Sequence, residues 1–188
     1  MMRFILAWVL VVFPLAASAL NDTPLLPSPK DYRVYLGGEL VSYKDDTASL
    51  DFRQVWQMYQ RGEVHQPSLP SLQYGYSEAA FWFVTVIENR HSEPVRNHLE
   101  IRYPPLDNID VYLLTDIGDL VSHSVLVERI PYHYRKIDSR FHVAPLKFDP
   151  GKRFHLLVRV VSESSLLIRM YLSSIDQHYE HEHYQQIA

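Results

Sequence analysis

Chemistry in this chain has to come from carboxylates, histidines and aromatic side chains paired with arginines. Asp107 and Asp110 flank Asn108. On a strand they point to opposite faces, and across a sandwich cleft they would serve as acid and base on a glycosidic bond. The plainer use of such residues is to hold turns and strand ends by accepting backbone hydrogen bonds. There are 10 histidines. The stretch HYEHEH carries His178, His181 and His183. On a helix His178 and His181 are i, i+3 neighbours, and Glu180 or Glu182 would complete a metal-binding set. The spacing matches no standard zinc site, and a solvated tail is the plainer reading. His133 and His142 flank a basic loop with Arg135, Lys136 and Arg140, where imidazoles would sense pH. In the same loop, IPYHYRK, the residues Tyr132 and Tyr134 lie beside Arg129 and Arg135. They join apolar rings to hydrogen-bond donors outside the expected core, the profile of a small-molecule site. An ordinary surface loop is the alternative. Arg102, on the polar face of its strand, is the further ligand-binding candidate. No nucleophile motif, glycine-rich phosphate loop or Cys/His cluster appears, and with 6 glycines there is little room for a phosphate cradle. No cofactor or metal is expected.

The ends and the composition bound where such a site works. Arg3, an apolar run from Phe4 to Leu15 and Ala17-Ser18-Ala19 form a secretory signal peptide with an A-x-A cleavage site. The run is shorter than the ~20 residues a bilayer span needs. An uncleaved anchor is the rival reading. Cleavage near residue 19 leaves one domain's worth of chain, exported and soluble, with no second apolar segment of spanning length. There are no cysteines, so an exported domain must be held by its core alone. Losing Arg3 leaves 17 Lys+Arg (18 − 1) against 22 Asp+Glu, a balance of −5 that argues against a nucleic-acid partner.

The elements that position these residues are mostly strands. Residues 20–31 carry Pro24, Pro27 and Pro29 and read as an extended leader. Tyr32–Leu36 alternates as an edge strand, with Glu39–Tyr43 as its partner across Gly37-Gly38. Phe52, Val55, Trp56 and Tyr59 form one apolar stripe, so a helix is predicted near residues 51–61, capped by Ser49 or Asp51 and ended by Gly62. Trp56 would dock it on the sheet. Residues 63–73 read as a loop. Phe81–Ile87 is apolar on both faces and therefore lies mid-sheet, with Trp82 and Phe83 in the core. Asn97–Tyr103 alternates: Leu99, Ile101 and Tyr103 on one face, His98, Glu100 and Arg102 on the other. Further strands are predicted over Ile109–Leu114, Val121–Val127, Phe141–Phe148, Phe154–Val161 and Leu166–Leu172. Short strands with turns between them imply an all-β fold, an antiparallel β-sandwich. Ile175–Ala188 is polar and aromatic, a short helix or a frayed tail.

The ordered series Tyr74-Gly75-Tyr76-Ser77, Phe81-Trp82-Phe83, Glu88-Asn89, Leu99-Glu100-Ile101, Pro104 to Leu113, Pro145-Leu146, Pro150-Gly151, Leu156 to Val160 and Ser162 resembles a known family. It is similar to the 7TMR-DISM extracellular domain 2, the periplasmic sensor module of bacterial seven-helix receptors with diverse intracellular signalling modules. The resemblance covers roughly residues 32–175. It implies a jelly-roll domain similar to carbohydrate-binding modules, ahead of seven membrane helices and a cytoplasmic output. It also implies carbohydrate ligands, by analogy of fold alone. Val84 stands where many members carry an arginine in a W-x-R pattern, which puts any role of that arginine in doubt. The seven-helix region does not follow, so the chain is either the front part of a receptor or a stand-alone periplasmic binder. The expected function is periplasmic ligand sensing, not catalysis, with a saccharide-like small molecule as partner. A protein-interaction or dimerisation module and a glycoside hydrolase fragment are the alternatives.

Overall fold

The computed structural model describes residues 23–64, 66–103, 106–127, 137, 139–163 and 165–187. The signal-peptide reading therefore lies outside the described residues. Strands come in the order β1 (Arg33–Tyr35), β2 (Val41–Asp45), β3 (Gln66–Pro67), β4 (Gln73–Gly75), β5 (Ala80–Glu88), β6 (Val95–Ile101), β7 (Asn108–Thr115), β8 (Leu120–Val127), β9 (His142–Phe148), β10 (Arg153–Val161), β11 (Leu166–Leu167) and β12 (Met170–Ser174). Helix α1 (Phe52–Gln60) follows β2, and α2 (Ile175–Ile187) follows β12 without a break.

The strands form two main antiparallel sheets, ordered β1-β12-β6-β9 and β3-β2-β5-β10-β7-β8, plus a small β11-β4 pair. The chain changes sheet from β5 to β6, β6 to β7, β8 to β9 and β9 to β10, so each sheet is built from distant segments. The main core lies between the sheets. Phe81, Phe83 and Ile87 of β5 and Leu156 and Val158 of β10 meet Leu99 and Ile101 of β6, Leu146 and Phe148 of β9 and Leu172 of β12. This is an antiparallel β-sandwich, the expected class.

β5 is buried on both faces, because its alternate residues enter two different cores. The odd positions face the other sheet, whereas Ala80, Trp82 and Val84 pack with Val55 and Tyr59 of α1. Losing a buried Trp or Phe side chain at such a site costs about 3–5 kcal/mol. Helix α1 starts in a capping box. The Asp51 carboxylate accepts from Gln54 N at 2.8 Å, and Gln54 Oε1 accepts from Asp51 N at 2.9 Å. It ends before Gly62, whose positive φ of 73° suits glycine. Trp56 docks the helix as expected, edge-on to His155 at 4.5 Å between ring centroids.

Three expectations are corrected. β1 and β2 are not a hairpin: β1 pairs with β12 and β2 with β5, in different sheets. The turn signal at Gly37-Gly38 is real, but it carries the chain from one sheet to the other. Leu166–Leu172 is not one strand, because β11 pairs with β4 and β12 pairs with β1 and β6. Residues 63–73 are not wholly loop, since β3 extends the larger sheet and β4 begins at Gln73. The leader, meanwhile, is tied down at Leu25, which exchanges backbone hydrogen bonds with Val86 and Glu88 of β5 at 2.8 and 2.9 Å.

Candidate functional site

The outer face of the four-stranded sheet gathers the most unusual side chains. Directly opposed residues on antiparallel strands share a face. One row runs Arg33, Ser173, His98 and Pro145, and the next runs Tyr35, Tyr171, Glu100 and Val143. Pro145 sits on the edge strand β9, where a missing N–H costs no inner ladder bond. The alternation of β6 is thus as the sequence implies, but its polar face is not solvated. Glu100 is 0% exposed and His98 6%.

Helix α2 makes the difference. It turns straight out of β12 and lays His178, also 0% exposed, on this face. The solvated-tail reading of HYEHEH is therefore wrong for His178. No group of three potential metal ligands forms among the described residues.

Glu100 is the centre of the cluster. Its Oε2 accepts from Arg102 Nε at 2.9 Å and Arg33 Nη2 at 3.4 Å. Its Oε1 accepts from Ser173 Oγ at 2.6 Å. His178 Nδ1 lies 3.0 Å from the same oxygen, close enough for an ion pair but out of line for a hydrogen bond. Burial alone would raise the Glu100 pKa; His178, Ser173 and Arg102 reverse it and hold the carboxyl at about 2. Burial and the neighbouring His178 push His98 down to about 4, against a smaller opposing pull from Glu100. His181 is lowered too, by burial and by Arg33 and Arg102. His98 meets His178 edge-on, with ring centroids 4.8 Å apart.

Two aromatic rings on this face, Tyr171 and Phe141, are taken up by the same guanidiniums. Arg33 lies 3.7 Å above the Tyr171 ring centre, and Arg102 lies 4.6 Å from that of Phe141. Arg102, a ligand candidate from the sequence, is thus 9% exposed at its side chain and committed to Glu100. Its Nη2 and the Nε of Arg33 are buried with no hydrogen-bond partner among the described residues. Arg129, Tyr132, Tyr134 and Arg135 lie outside the described residues, as does His133. His142 is buried in β9. Nothing in the sequence announced His178, Arg33 and Ser173 as partners of Glu100. The available signal was the run of charged and imidazole residues on one face of β6, beside an aliphatic face.

Among the described residues, two of the clefts near the sandwich surface stand out. One of about 450 Å³ borders the α2 face, between β6, β9, the edge of β8 and Ile175. The other, about 620 Å³, is rimmed by Tyr76, Glu78 and Glu163, with Tyr76 82% exposed. The proposed acid–base carboxylates serve structure. Asp107 Oδ2 accepts from Ser162 Oγ at 2.9 Å and Glu163 N at 2.8 Å. Asp110 holds His123 Nε2 at 2.9 Å and Arg159 Nη1 at 3.5 Å. Arg159 stands opposite Trp82 in the ladder, its guanidinium 5.9 Å from the indole. A guanidinium therefore reaches Trp82 from the neighbouring strand, while Val84 is buried beneath α1.

No helix among the described residues is long and apolar enough to cross a membrane. No curated protein matches the chain. The family model for the 7TMR-DISM extracellular 2 domain matches residues 37–174, from the turn after β1 to the end of β12. With most of its length covered by that match, the chain belongs to the 7TMR-DISM extracellular 2 family, the extracellular sensor domains of receptors.

Proposed function

We propose that the chain is a periplasmic ligand-sensing domain, delivered by a cleaved signal peptide, in which docking of α2 on the four-stranded sheet is the reporting state. The observation that carries this is Glu100: a fully buried carboxylate that holds Arg33 and Arg102 on the sheet side and meets His178 of the helix. A buried charge cluster holds one arrangement well and tolerates loss of a member poorly, so the joint favours two states over a continuum. A ligand shifts such an equilibrium only by binding one state better than the other. Strand crossing between the sheets supports the jelly-roll topology. The commitment of Asp107 and Asp110 to hydrogen bonds and ion pairs supports binding over hydrolysis. For a saccharide, the exposed Tyr76 ring is the better platform, since Tyr171 and Phe141 are covered by guanidiniums. The test is a thermal-shift screen of the full chain with neutral sugars, amino acids and organic acids, followed by hydrogen exchange on α2. The reading expects a stabilising compound that also changes exchange in residues 175–187. A stabilising compound that leaves those residues unchanged would refute it.

One observation favours a second reading, a protein-interaction module. Strand β8 is the outer edge of the six-stranded sheet and exposes Leu120, Val121 and Val125. An apolar exposed edge invites pairing with another strand. Concentration-dependent dimerisation abolished by Val125→Lys would support it.

A further inference from the structure

The cleft of about 450 Å³ beside α2 has a chemical character of its own. Arg96 and Lys147 stand directly opposite one another across β6 and β9, on the same outer face. Like charges so placed repel and destabilise the sheet unless an anion lies between them. Lys147 is ion-paired with Asp149 of the same cleft at 3.5 Å, and Asp149 is held more closely by Lys152 at 3.1 Å, which leaves the charge of the two cations only partly offset. Between the cations and the helix lies His98, 6% exposed, whose Nδ1 is buried with no hydrogen-bond partner among the described residues. A buried polar atom left unpaired is costly, so a group that satisfies it binds favourably. The remaining wall joins apolar Val121, Pro145 and Ile175 to polar Asn97, Ser122 and Asp149. The volume falls within the range of small-molecule sites.

We propose that this cleft binds a small organic carboxylate with an apolar body. The carboxylate lies between Arg96 and Lys147, within reach of His98, and the body rests on Pro145, Val121 and Ile175. Inorganic phosphate has no apolar part to use that wall. The assignment rests on the sensing reading above and supplies its ligand class. It also supplies the coupling. Ile175 is the first residue of α2, so the cleft has its full wall only when the helix is docked. A ligand that touches Ile175 and His98 therefore binds the docked state better, and His98 passes its position to His178 through their ring contact.

The experiment titrates the full chain with benzoate, hexanoate, glucuronate, inorganic phosphate and glucose, by calorimetry and thermal shift. Benzoate and hexanoate are expected to bind and raise Tm, glucuronate less so, and phosphate and glucose not at all. Arg96→Gln and Lys147→Gln should each weaken benzoate about tenfold, in line with losing one charge-assisted bond. Both sites are exposed, so both variants should fold. Arg96→Lys should retain most of the affinity. Benzoate should also slow hydrogen exchange in residues 175–187. Equal binding of phosphate, or unchanged benzoate affinity in the Arg96→Gln, Lys147→Gln double variant, would overturn the assignment. If glucose binds and stabilises the chain while benzoate and hexanoate do not, the carboxylate site falls while the sensing reading stands. If no compound of the panel binds, the carboxylate site falls, and the docking of α2 is judged separately by the Glu100 variant described below.

Discussion

Replacing Glu100 by Gln keeps the shape of the side chain and removes its charge. Arg33 and Arg102 are then left in a buried site without their counter-ion. The size of the effect follows from the carboxyl itself. Its ordinary value of 4.5 falls to about 2 in the folded protein, a difference of about 2.5 (4.5 − 2). At 1.36 kcal/mol for each pH unit, the charged form stabilises the fold by about 3 kcal/mol. Breaking a buried pair by removing one partner costs about 3–5 kcal/mol, which agrees in scale. For a domain of this length that is a fall in Tm of about 6–12 °C. The pH dependence has a definite sign. A depressed acid contributes its full stabilisation above the unfolded value and loses it as pH falls through the folded one. The gap between wild type and Glu100→Gln should thus be full at pH 7, begin to close below about pH 4.5 and vanish near pH 2. Urea unfolding at pH 7, 5, 4 and 3 measures it. A variant within about 1 kcal/mol of wild type at pH 7, or a gap that does not change with pH, would mean that the Glu100 charge does not stabilise the fold.

Other outcomes follow from the same geometry. His98 is pushed from 6.5 to about 4, so the fold favours its neutral form and loses stability as pH falls below 6.5. By pH 5 this amounts to about 2 kcal/mol, and in His98→Gln the decline between pH 7 and 5 should be reduced by that amount in urea unfolding. Asp51→Ala breaks the capping box of α1 and should cost about 1 kcal/mol, read as a lower urea midpoint with an unchanged slope. Gly118 has φ of 92° and packs against the Trp56 indole, so Gly118→Ala should lower Tm through both strain and displacement of Trp56, the latter visible in tryptophan fluorescence.

Much of the sandwich was legible locally. The run AFWFV admits only a strand covered on both faces, and the stripe Phe52, Val55, Trp56, Tyr59 admits an amphipathic helix. The pairing of β1 with β12 was not legible, because it joins segments some 140 residues apart and no local turn specifies it. The candidate site was half legible. Alternation put His98, Glu100 and Arg102 on one face, but their burial depends on α2. That helix has no apolar stripe, since it docks through His178 onto a carboxylate. Hydrophobic periodicity is blind to a helix that docks in this way. The loop singled out for its tyrosines and arginines, Arg129 to Arg135, lies outside the described residues. Arg102 reaches the cluster as a partner of Glu100, with its free donor buried.

On the reading proposed for this domain, the buried Glu100 cluster holds α2 on the sheet. Hydrogen exchange at pH 7 of peptides spanning residues 175–187, compared between wild type and Glu100→Gln, tests it most directly. These peptides should lose their protection in the variant while β5 and β10, in the middle of the larger sheet, keep theirs. Unchanged protection of α2, or equal loss in α2, β5 and β10, would contradict it.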